Sequence, residues 1–206
     1  EGIMAKKPTS RQPGAERILD AAIELWTTRR WQDVKLEDIA EAAGASMARL
    51  HEFYPSRISL ISAMISRTDK CVLRGHDFGD STEPYRERLL DVLMRRFDAL
   101  AQHKAAVRSI FRDMQSDPAT AVCLMPAFFN SMAWSLELAG IQAAGLGGLL
   151  RIKGLGLIYI SGISVWLDDE SPDLSVTMAR IDRDLRRVEG MMNLVSWKRQ
   201  TKDSAE

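Results

Sequence analysis

The chain has 206 residues, enough for one large domain or for a small module joined to a larger one. Apolar residues make up 46% of it and charged residues 27%, a composition that excludes a chain disordered throughout. The 28 Lys and Arg residues equal the 28 Asp and Glu residues in number. This balance argues against nucleic-acid binding by bulk charge alone and leaves a local basic patch possible.

Cysteine usage and apolar runs predict a soluble, cytoplasmic protein without a cofactor or metal. Cys71 and Cys123 are far apart and form no CxxC motif, so we expect buried, reduced thiols. The uncharged stretch 154–167 near the C-terminus is shorter than the ~20 residues that a membrane span needs. The first residues lack the apolar core of a signal peptide.

Helical periodicity runs through almost the whole sequence and predicts an all-α fold of about nine helices. Polar residues 1–14 form a basic arm, and residues 15–66 form an N-terminal head. A larger domain for ligand binding and dimerisation is expected at 67–193, and a loop at 74–82 is the best candidate for a boundary. Residues 194–206 form a polar tail.

The head is expected to contain helices at 15–29, 36–43, 47–53 and 57–70. Gly44 suits the position after a helix end, and Ser46 and Ser56 suit the caps of the next two helices. Two short helices joined by residues 43–46 within a three-helix core are typical of a helix-turn-helix. The second of them would present Met47, Ala48 and Arg49 outward.

In the larger domain, helices are expected after Pro84, around Val107 and after Asp117. A Gly-rich break at 140–148 precedes an apolar helix at 149–167. The last helix carries apolar residues at alternating spacings of four and three, which predicts a narrow packing seam. We expect this seam and the helix at 149–167 to pair with their symmetry mates in a four-helix homodimer interface. The contact residues expected on the last helix are Leu174, Met178, Ile181, Leu185 and Val188.

Residues 17–22 (RILDAA), 39–46 (IAEAAGAS) and 50–57 (LHEFYPSR), with Leu60, resemble the signature of the tetracycline-repressor (TetR) family. The resemblance covers residues 15–65 and implies a DNA-binding head on an all-helical, ligand-binding and dimerising body. It implies that the third helix enters the major groove of a palindromic operator. The residues expected to contact DNA are Lys35, Ser46, Met47, Ala48, Arg49, His51 and Arg57, with Lys6, Lys7 and Arg11 of the arm.

The head departs from the family pattern in its charge and in several contact positions. Residues 15–66 carry six basic and eight acidic side chains, and Glu37 stands where a basic residue is common. Since phosphate neutralisation supplies most nonspecific affinity, we expect weak DNA binding unless the arm takes part. A head that no longer binds DNA is the alternative.

Residues 165–174 (VWLDDESPDL), with Thr177 and Arg186, resemble the TetR-like lipid-binding accessory proteins of ubiquinone biosynthesis. This second resemblance implies an apolar cavity for a small molecule or lipid. Bulky residues on the two apolar helices and the helix before them are compatible with such a cavity and equally with a plain core. The candidate ligand-binding residues are Met114, Met125, Phe128, Phe129, Met132, Trp134, Tyr159 and Trp166.

Signs of catalysis are absent from the sequence. His51, His76 and His103 belong to no catalytic motif, residues 145–148 follow no strand, and the acidic run 168–170 is typical of a solvated turn. The sequence therefore predicts a TetR-type regulator whose operator affinity responds to an apolar ligand. The alternative is a lipid-binding accessory protein that does not bind DNA.

Overall fold

The structure is a computed structural model that describes residues 14–74 and 83–203, with side chains described as far as Glu189. Within these residues all regular secondary structure is helical, as predicted. The α-helices are α1 (Ala15–Thr28), α2 (Leu36–Ala43), α3 (Met47–Phe53), α4 (Arg57–Arg74), α5 (Tyr85–Leu100), α6 (Lys104–Met114), α7 (Pro118–Leu138), α8 (Gly145–Asp168) and α9 (Ser175–Asp203). Short 3-10 helices span Trp31–Asp33 and Ala101–His103. The arm residues Lys6, Lys7 and Arg11, together with His76, lie outside the described residues.

Side-chain caps fix the starts of several helices where the sequence predicts them. Ser46 Oγ accepts a hydrogen bond of 3.1 Å from the backbone N–H three residues later, at the start of α3. Ser56 and Ser59 exchange such bonds before α4, each backbone N–H donating to the other's hydroxyl at 3.1 Å. Asp117 caps α7 in the same way at 3.1 Å. These side chains satisfy N–H groups that have no partner inside the helix.

Helix α8 begins earlier, and helix α9 ends later, than the sequence predicts. The Gly-rich run 145–148 forms the first turn of α8 rather than a break, and α9 continues to Asp203 beyond the expected boundary at 193. The 21 residues of α7 and the 24 of α8 are long and apolar enough to cross a membrane by length and composition, although the uncharged stretch 154–167 alone is too short. Both helices pack against other helices of the body, so their length and composition are weak evidence for a membrane span.

One continuous apolar core runs from the head into the body, and α4 passes through both. Leu60, Ile61 and Met64 of α4 are buried in this core, and α4 contacts α1 of the head as well as α5 and α7 of the body. The position of the head therefore depends on how α4 is held within the body.

The predicted dimer seam of α9 lies largely inside the chain's own body. Ile181 is 0% exposed and Leu185 is also buried. A Cβ added at Gly162 of α8 would collide with Ile181 Cδ1, so this glycine allows the close approach of α8 and α9. The prediction that Ile181 and Leu185 form the dimer surface is therefore wrong. The other seam residues are half-buried, Leu174 and Val188, or exposed, Met178.

Both cysteine thiols are exposed, which corrects the prediction of buried ones. Cys71 precedes the buried Val72 of α4, and Cys123 precedes the buried Leu124 of α7. Because neighbouring residues on a helix point about 100° apart, the buried partner directs each cysteine outward.

A buried carboxylate organises the acidic turn between α8 and α9. Asp169 accepts hydrogen bonds from the backbone N–H groups of Ser171, at 3.0 Å, and Thr177, at 2.8 Å, and from both hydroxyls. Burial opposes ionisation, but these hydrogen bonds outweigh it and hold the pKa of Asp169 far below its ordinary value. The prediction of a solvated turn is right for the exposed Asp168 and Glu170 and wrong for Asp169.

Replacing Asp169 with Asn is expected to lower the free energy of unfolding by about 1–3 kcal/mol at neutral pH, because hydrogen bonds to a charged acceptor are lost. The folded-state pKa lies below the unfolded value of about 3.9. The carboxylate therefore stabilises the fold above about pH 4, and this contribution is lost as the pH falls through the folded-state pKa. Urea unfolding at about pH 7 and about pH 3 should show the difference between wild type and variant shrinking at the lower pH.

The exposed neighbour offers a matched control for this experiment. Asp168→Asn removes a surface ion pair with Arg108 and is expected to change stability by less than about 1 kcal/mol. An Asp169→Asn variant no less stable than Asp168→Asn would contradict the structural role of the buried carboxylate.

Candidate nucleic-acid interface and body interior

The chain between α2 and α3 makes the tight turn of a helix-turn-helix. Gly44 has a φ of 67°, a left-handed conformation that glycine adopts without steric cost. The Ala45 N–H donates to the Ala40 carbonyl at 2.8 Å, and the Gly44 N–H donates to the Glu41 carbonyl at 3.0 Å. These bonds satisfy the last carbonyls of α2, and Ser46 then caps α3. The predicted turn and its residues are confirmed.

Buried apolar side chains fix α3 relative to the rest of the head. Ile39 and Ala43 of α2 and Leu50 of α3 are buried in the core with α1 and α4. The Tyr54 hydroxyl donates to the Ala15 carbonyl at 3.0 Å, which ties the end of α3 to the start of α1. Because this core is closely packed, α3 is held at a fixed angle in the head.

The N-terminal part of α3 exposes an apolar surface, and the Arg49 side chain beside it turns back onto the same helix. Met47 is 45% exposed, and Ala48 is exposed next to it. Arg49 Nη1 pairs with Glu52 Oε2 at 2.7 Å, and the Arg49 guanidinium lies 4.3 Å from the centroid of the Phe53 ring. Arg49 must leave Glu52 before it can reach a base edge, and an exposed pair of this kind is weak.

The predicted phosphate contacts of the head differ in availability. Lys35, Ser46 and His51 are exposed, so their proposed contacts stay a prediction. Arg57 is half-buried: its guanidinium lies 4.4 Å from the centroid of the Trp31 ring and donates to the Trp31 carbonyl. Burial lowers the pKa of Arg57. This arginine thus has a structural contact within the head, and its phosphate contact is untested.

Hydrogen bonds join residues 29–32 of the head to Ser109 and Asp113 of α6 in the body. The buried Asp113 carboxylate accepts from Arg30 Nε at 3.1 Å, from Arg30 Nη2 at 2.9 Å and from the Gln32 N–H at 3.0 Å. The Ser109 hydroxyl accepts from the Trp31 N–H at 3.0 Å and donates to the Arg29 carbonyl at 3.1 Å. The segment after α1 is therefore fixed to the body by directional bonds as well as by packing.

The predicted ligand-binding residues occupy three kinds of environment. Tyr159 and Trp166 are buried, with ring centroids 5.2 Å and 5.6 Å from that of Phe97. Met125 and Trp134 are exposed, which corrects their assignment to an interior cavity. Met132 is also buried, and Met114, Phe128 and Phe129 are half-buried. A shallow groove on α9 lies apart from these aromatic residues and is lined by Ala179, Asp182, Arg183, Arg186 and Arg187.

A buried ion pair, which was not predicted from the sequence, joins α4 and α5 in the body. Arg96 of α5 is 4% exposed; its Nη1 lies 2.5 Å from Asp69 Oδ1, and its Nη2 donates to Ser131 Oγ at 2.6 Å. Ser131 also donates to Asp69 Oδ1 at 2.6 Å, and Ser135 Oγ lies 3.5 Å from Arg96 Nη1. Burial works to lower the pKa of Arg96, but Tyr159 and the Asp69 carboxylate outweigh it and raise that pKa. Arg96 therefore remains charged.

The position of Arg96 among the apolar residues of α5 is a feature of the sequence that could have predicted this ion pair. Leu89, Leu93, Phe97 and Leu100 form its buried stripe, and Arg96 falls three residues after Leu93 and four before Leu100. A charged residue at a core-facing helical position is buried only with a partner. The position of Arg96 among these apolar residues therefore predicts that it is buried with a partner.

Sequence comparison relates the chain to helix-turn-helix regulators. It is 32% identical over 126 residues to an HTH-type transcriptional regulator of Mycobacterium tuberculosis, a match that covers 57% of this chain and 62% of that protein. The chain thus spans less than two thirds of the length of this relative. It is 26% identical over 170 residues to the HTH-type transcriptional activator FasR of Mycolicibacterium smegmatis, covering 79% of this chain and 78% of FasR. No family model matches the chain.

Solved structures of TetR regulators have the same architecture. A TetR transcriptional regulator from Nitrosomonas europaea superposes with a TM-score of 0.65 at 23% identity, over 84% of this chain and 95% of that one. Another from a Rhodococcus species gives a TM-score of 0.57 at 23% identity, over 83% and 92% of the two chains. These likenesses establish the fold.

Proposed function

The chain has the fold of the TetR regulators and is related in sequence to HTH-type transcriptional regulators, and on this premise we propose that it is a cytoplasmic, DNA-binding transcriptional regulator rather than an enzyme. The observation that carries the proposal is the helix-turn-helix itself. Gly44 forms the tight turn after α2, Ser46 caps α3, and the N-terminal half of α3 is exposed. In a dimer, two such helices about 34 Å apart would read the two halves of a palindrome.

The charge of the head shapes how it would bind DNA. Residues 15–66 hold six basic and eight acidic side chains. Arg49 is paired with Glu52, and Arg67 of α4 pairs with both Glu16 and Asp20 at 2.6 Å. Few cations of the head are therefore free to neutralise phosphates, so binding by the head alone should depend on sequence and change little with salt concentration. Lys6, Lys7 and Arg11 would add the missing positive charge.

Selection of binding sites from random DNA tests the proposal directly. Full-length protein at low salt is expected to enrich a palindromic consensus, and protein lacking residues 1–14 is expected to enrich it more weakly. Absence of any enriched sequence with folded, full-length protein would contradict DNA-binding regulation. Equal enrichment with and without the arm would show that Lys6, Lys7 and Arg11 contribute nothing.

Arg49→Ala is expected to weaken binding to the selected operator by about 1–3 kcal/mol and to leave nonspecific binding almost unchanged, because one bidentate base contact is lost. Titration of labelled operator and of a scrambled duplex measures both affinities. If Arg49→Ala leaves the sequence preference intact, α3 does not read the operator through this residue.

Glu52→Gln is the matched variant at the other end of the ion pair. It keeps the size of the side chain, frees Arg49 and removes one negative charge that would face phosphate. We expect operator affinity to rise by about 0.3–1 kcal/mol, the usual strength of an exposed pair. A lower operator affinity would mean that the pair positions Arg49 for DNA instead of withholding it.

An exposed apolar stripe on α8 is the surface that we propose for the homodimer. Leu146, Leu150, Leu157 and Ile160 are all exposed, with Leu150 and Leu157 each at 72%. Their spacings of four, seven and three place them on one side of the helix. Exposed apolar side chains in such a row mark a protein interaction site, and pairing with the same stripe of a second copy would cover them.

Control of operator affinity by a small apolar ligand is part of the proposal. Such control requires a free-energy coupling between ligand and DNA, typically about 1–3 kcal/mol, that acts equally in both directions. The alternative of a lipid-binding accessory protein is not favoured, since the relatives reported above are regulators. Organic extract of host cells, added to the selected protein–DNA complex, is expected to dissociate it. A complex indifferent to the extract would count against ligand control.

A further inference from the structure

The Arg96 cluster, made of Arg96, Asp69, Ser131 and Ser135, crosses three helices of the body. Asp69 lies on α4, Arg96 on α5 and the two serines on α7. Removing an arginine and a carboxylate from water costs free energy that their attraction often fails to recover, and apolar replacements of such pairs are frequently as stable. Stability alone is therefore a poor reason for this cluster, and buried charges with specific partners are typical of binding sites.

The bonding within the cluster leaves capacity for another anion. Asp69 uses one oxygen, Oδ1, to accept from both Arg96 Nη1 and the Ser131 hydroxyl. The buried Arg96 Nε has no hydrogen-bond partner. A guanidinium binds a carboxylate best through two parallel N–H bonds, and the Asp69 contact uses only one nitrogen. Asp69 is the more accessible partner, with 12% of its side chain exposed against 4% for Arg96.

One aromatic ring lies beside the charged end of Arg96, and further aromatic rings pack against that ring. Its guanidinium carbon lies 5.1 Å from the centroid of the Tyr159 ring. The centroid of the Tyr159 ring lies 5.2 Å from that of Phe97 and 6.2 Å from that of Phe128. Phe128 in turn packs against Gly156 of α8, where a Cβ would lie 3.0 Å from its ring. An anion bound to Arg96 would thus have the Tyr159 ring on one side and the hydroxyl of Ser131 on another, with apolar rings behind Tyr159.

We propose that Arg96 binds the carboxylate of an amphipathic effector, which takes the place of the Asp69 side chain while its apolar chain packs among the aromatic residues of α7 and α8. The displaced Asp69 turns toward solvent, where its charge is hydrated. Asp69 is thus the internal competitor of the ligand, and Ser131 is left to hydrogen-bond the incoming carboxylate.

The exchange of partners acts on the helix that carries the head. Asp69 is the residue of α4 that holds this helix to Arg96, and the N-terminal part of α4 packs in the head core. Ligand binding removes the ion pair between α4 and α5, so the two states differ in how α4 is held. This consequence for DNA rests on the proposed function, whereas ligand binding at Arg96 does not.

Calorimetric titration of the full-length protein without DNA tests the ligand class. The probes are sodium dodecanoate, dodecanol and dodecyltrimethylammonium, all below their aggregation concentrations. We expect dodecanoate to bind at least about 10-fold more tightly than the other two, the factor that corresponds to one modest ionic interaction. Equal affinity for dodecanoate and dodecanol would overturn the proposal.

Two variants locate the site. Asp69→Asn removes the competing charge and is expected to raise dodecanoate affinity about 10-fold or more. The paired change Asp69→Leu with Arg96→Met replaces the ion pair by apolar side chains; it should keep the helical fold and lose all preference for dodecanoate over dodecanol. Asp98→Asn, an exposed carboxylate of α5, is the control and should change nothing.

Three results would overturn the assignment of Arg96. The first is that the paired variant, shown to be folded by circular dichroism, still binds dodecanoate more tightly than dodecanol. The second is that Asp69→Asn binds dodecanoate with unchanged affinity. The third is that neither wild type nor Asp69→Asn binds dodecanoate. DNA titrations in the presence of dodecanoate separate this proposal from the proposed function. A protein that binds dodecanoate through Arg96 and selects no DNA sequence retains the ligand site and refutes only the regulator.

Discussion

Glutamate at both Leu150 and Leu157 is expected to convert the protein into folded monomers whose operator affinity falls by about 10²–10⁴-fold, because the second half-site is no longer tethered to the first. Both side chains are 72% exposed on one side of α8, so the substitutions disturb no core packing. Four negative charges per dimer would instead face one another across the proposed interface. Light scattering measures the mass, and titration of the selected palindrome measures the affinity.

The control for this experiment is a matched charge on another exposed apolar position. Val122→Glu on α7 is expected to leave both mass and operator affinity unchanged. A Leu150→Glu, Leu157→Glu variant that remains dimeric would place the interface elsewhere. A wild-type protein with the mass of one chain at micromolar concentration would contradict the homodimer itself.

Local chemistry made the head predictable. Gly44 and Ser46 have roles that few other residues fill, a left-handed helix end and a side-chain cap, so α2 and α3 end and begin at the predicted residues. The spacing of Ile39, Ala43 and Leu50 reports the buried face directly, because each short helix has one apolar side.

The two apolar helices of the body were less informative. Helices α7 and α8 have apolar residues on nearly all sides, so the pattern did not reveal which side faces inward. Trp134 was therefore expected in a cavity and lies on the surface, while Tyr159 lies in the core. The burial of Arg96 could be predicted from its position in α5, but its partners could not, because they are far apart in the sequence and meet only after α4, α5 and α7 pack together.

The α9 seam illustrates a second ambiguity, between packing within a chain and packing between chains. Spacings of four and three place a row of apolar residues along any helix, whatever covers that row. The row that holds Ile181 and Leu185 is covered by the chain's own helices, with Gly162 of α8 making room for Ile181. The helix at 149–167 was expected in the dimer interface, but the exposed residues Leu150 and Leu157 on it were not singled out from the sequence.

Ile181→Glu distinguishes the two interpretations of α9 with a large effect. Ile181 is 0% exposed and packs against Gly162, so a glutamate would place an unpaired charge in the core. The expected cost is at least about 4 kcal/mol, a large share of the stability of an ordinary domain, and we expect unfolded or insoluble protein. Circular dichroism and urea unfolding of the soluble fraction measure this loss.

Met178→Glu provides the comparison within the same helix. Met178 lies three residues before Ile181 and is exposed, so its replacement by Glu is expected to change stability by less than about 0.5 kcal/mol. If α9 instead supplied the dimer seam, Ile181→Glu would yield soluble, helical monomers with nearly wild-type unfolding, and Leu150→Glu with Leu157→Glu would leave the dimer intact. The two sets of variants therefore give opposite results for the two surfaces, because a buried charge unfolds a chain whereas an interfacial charge separates two folded ones.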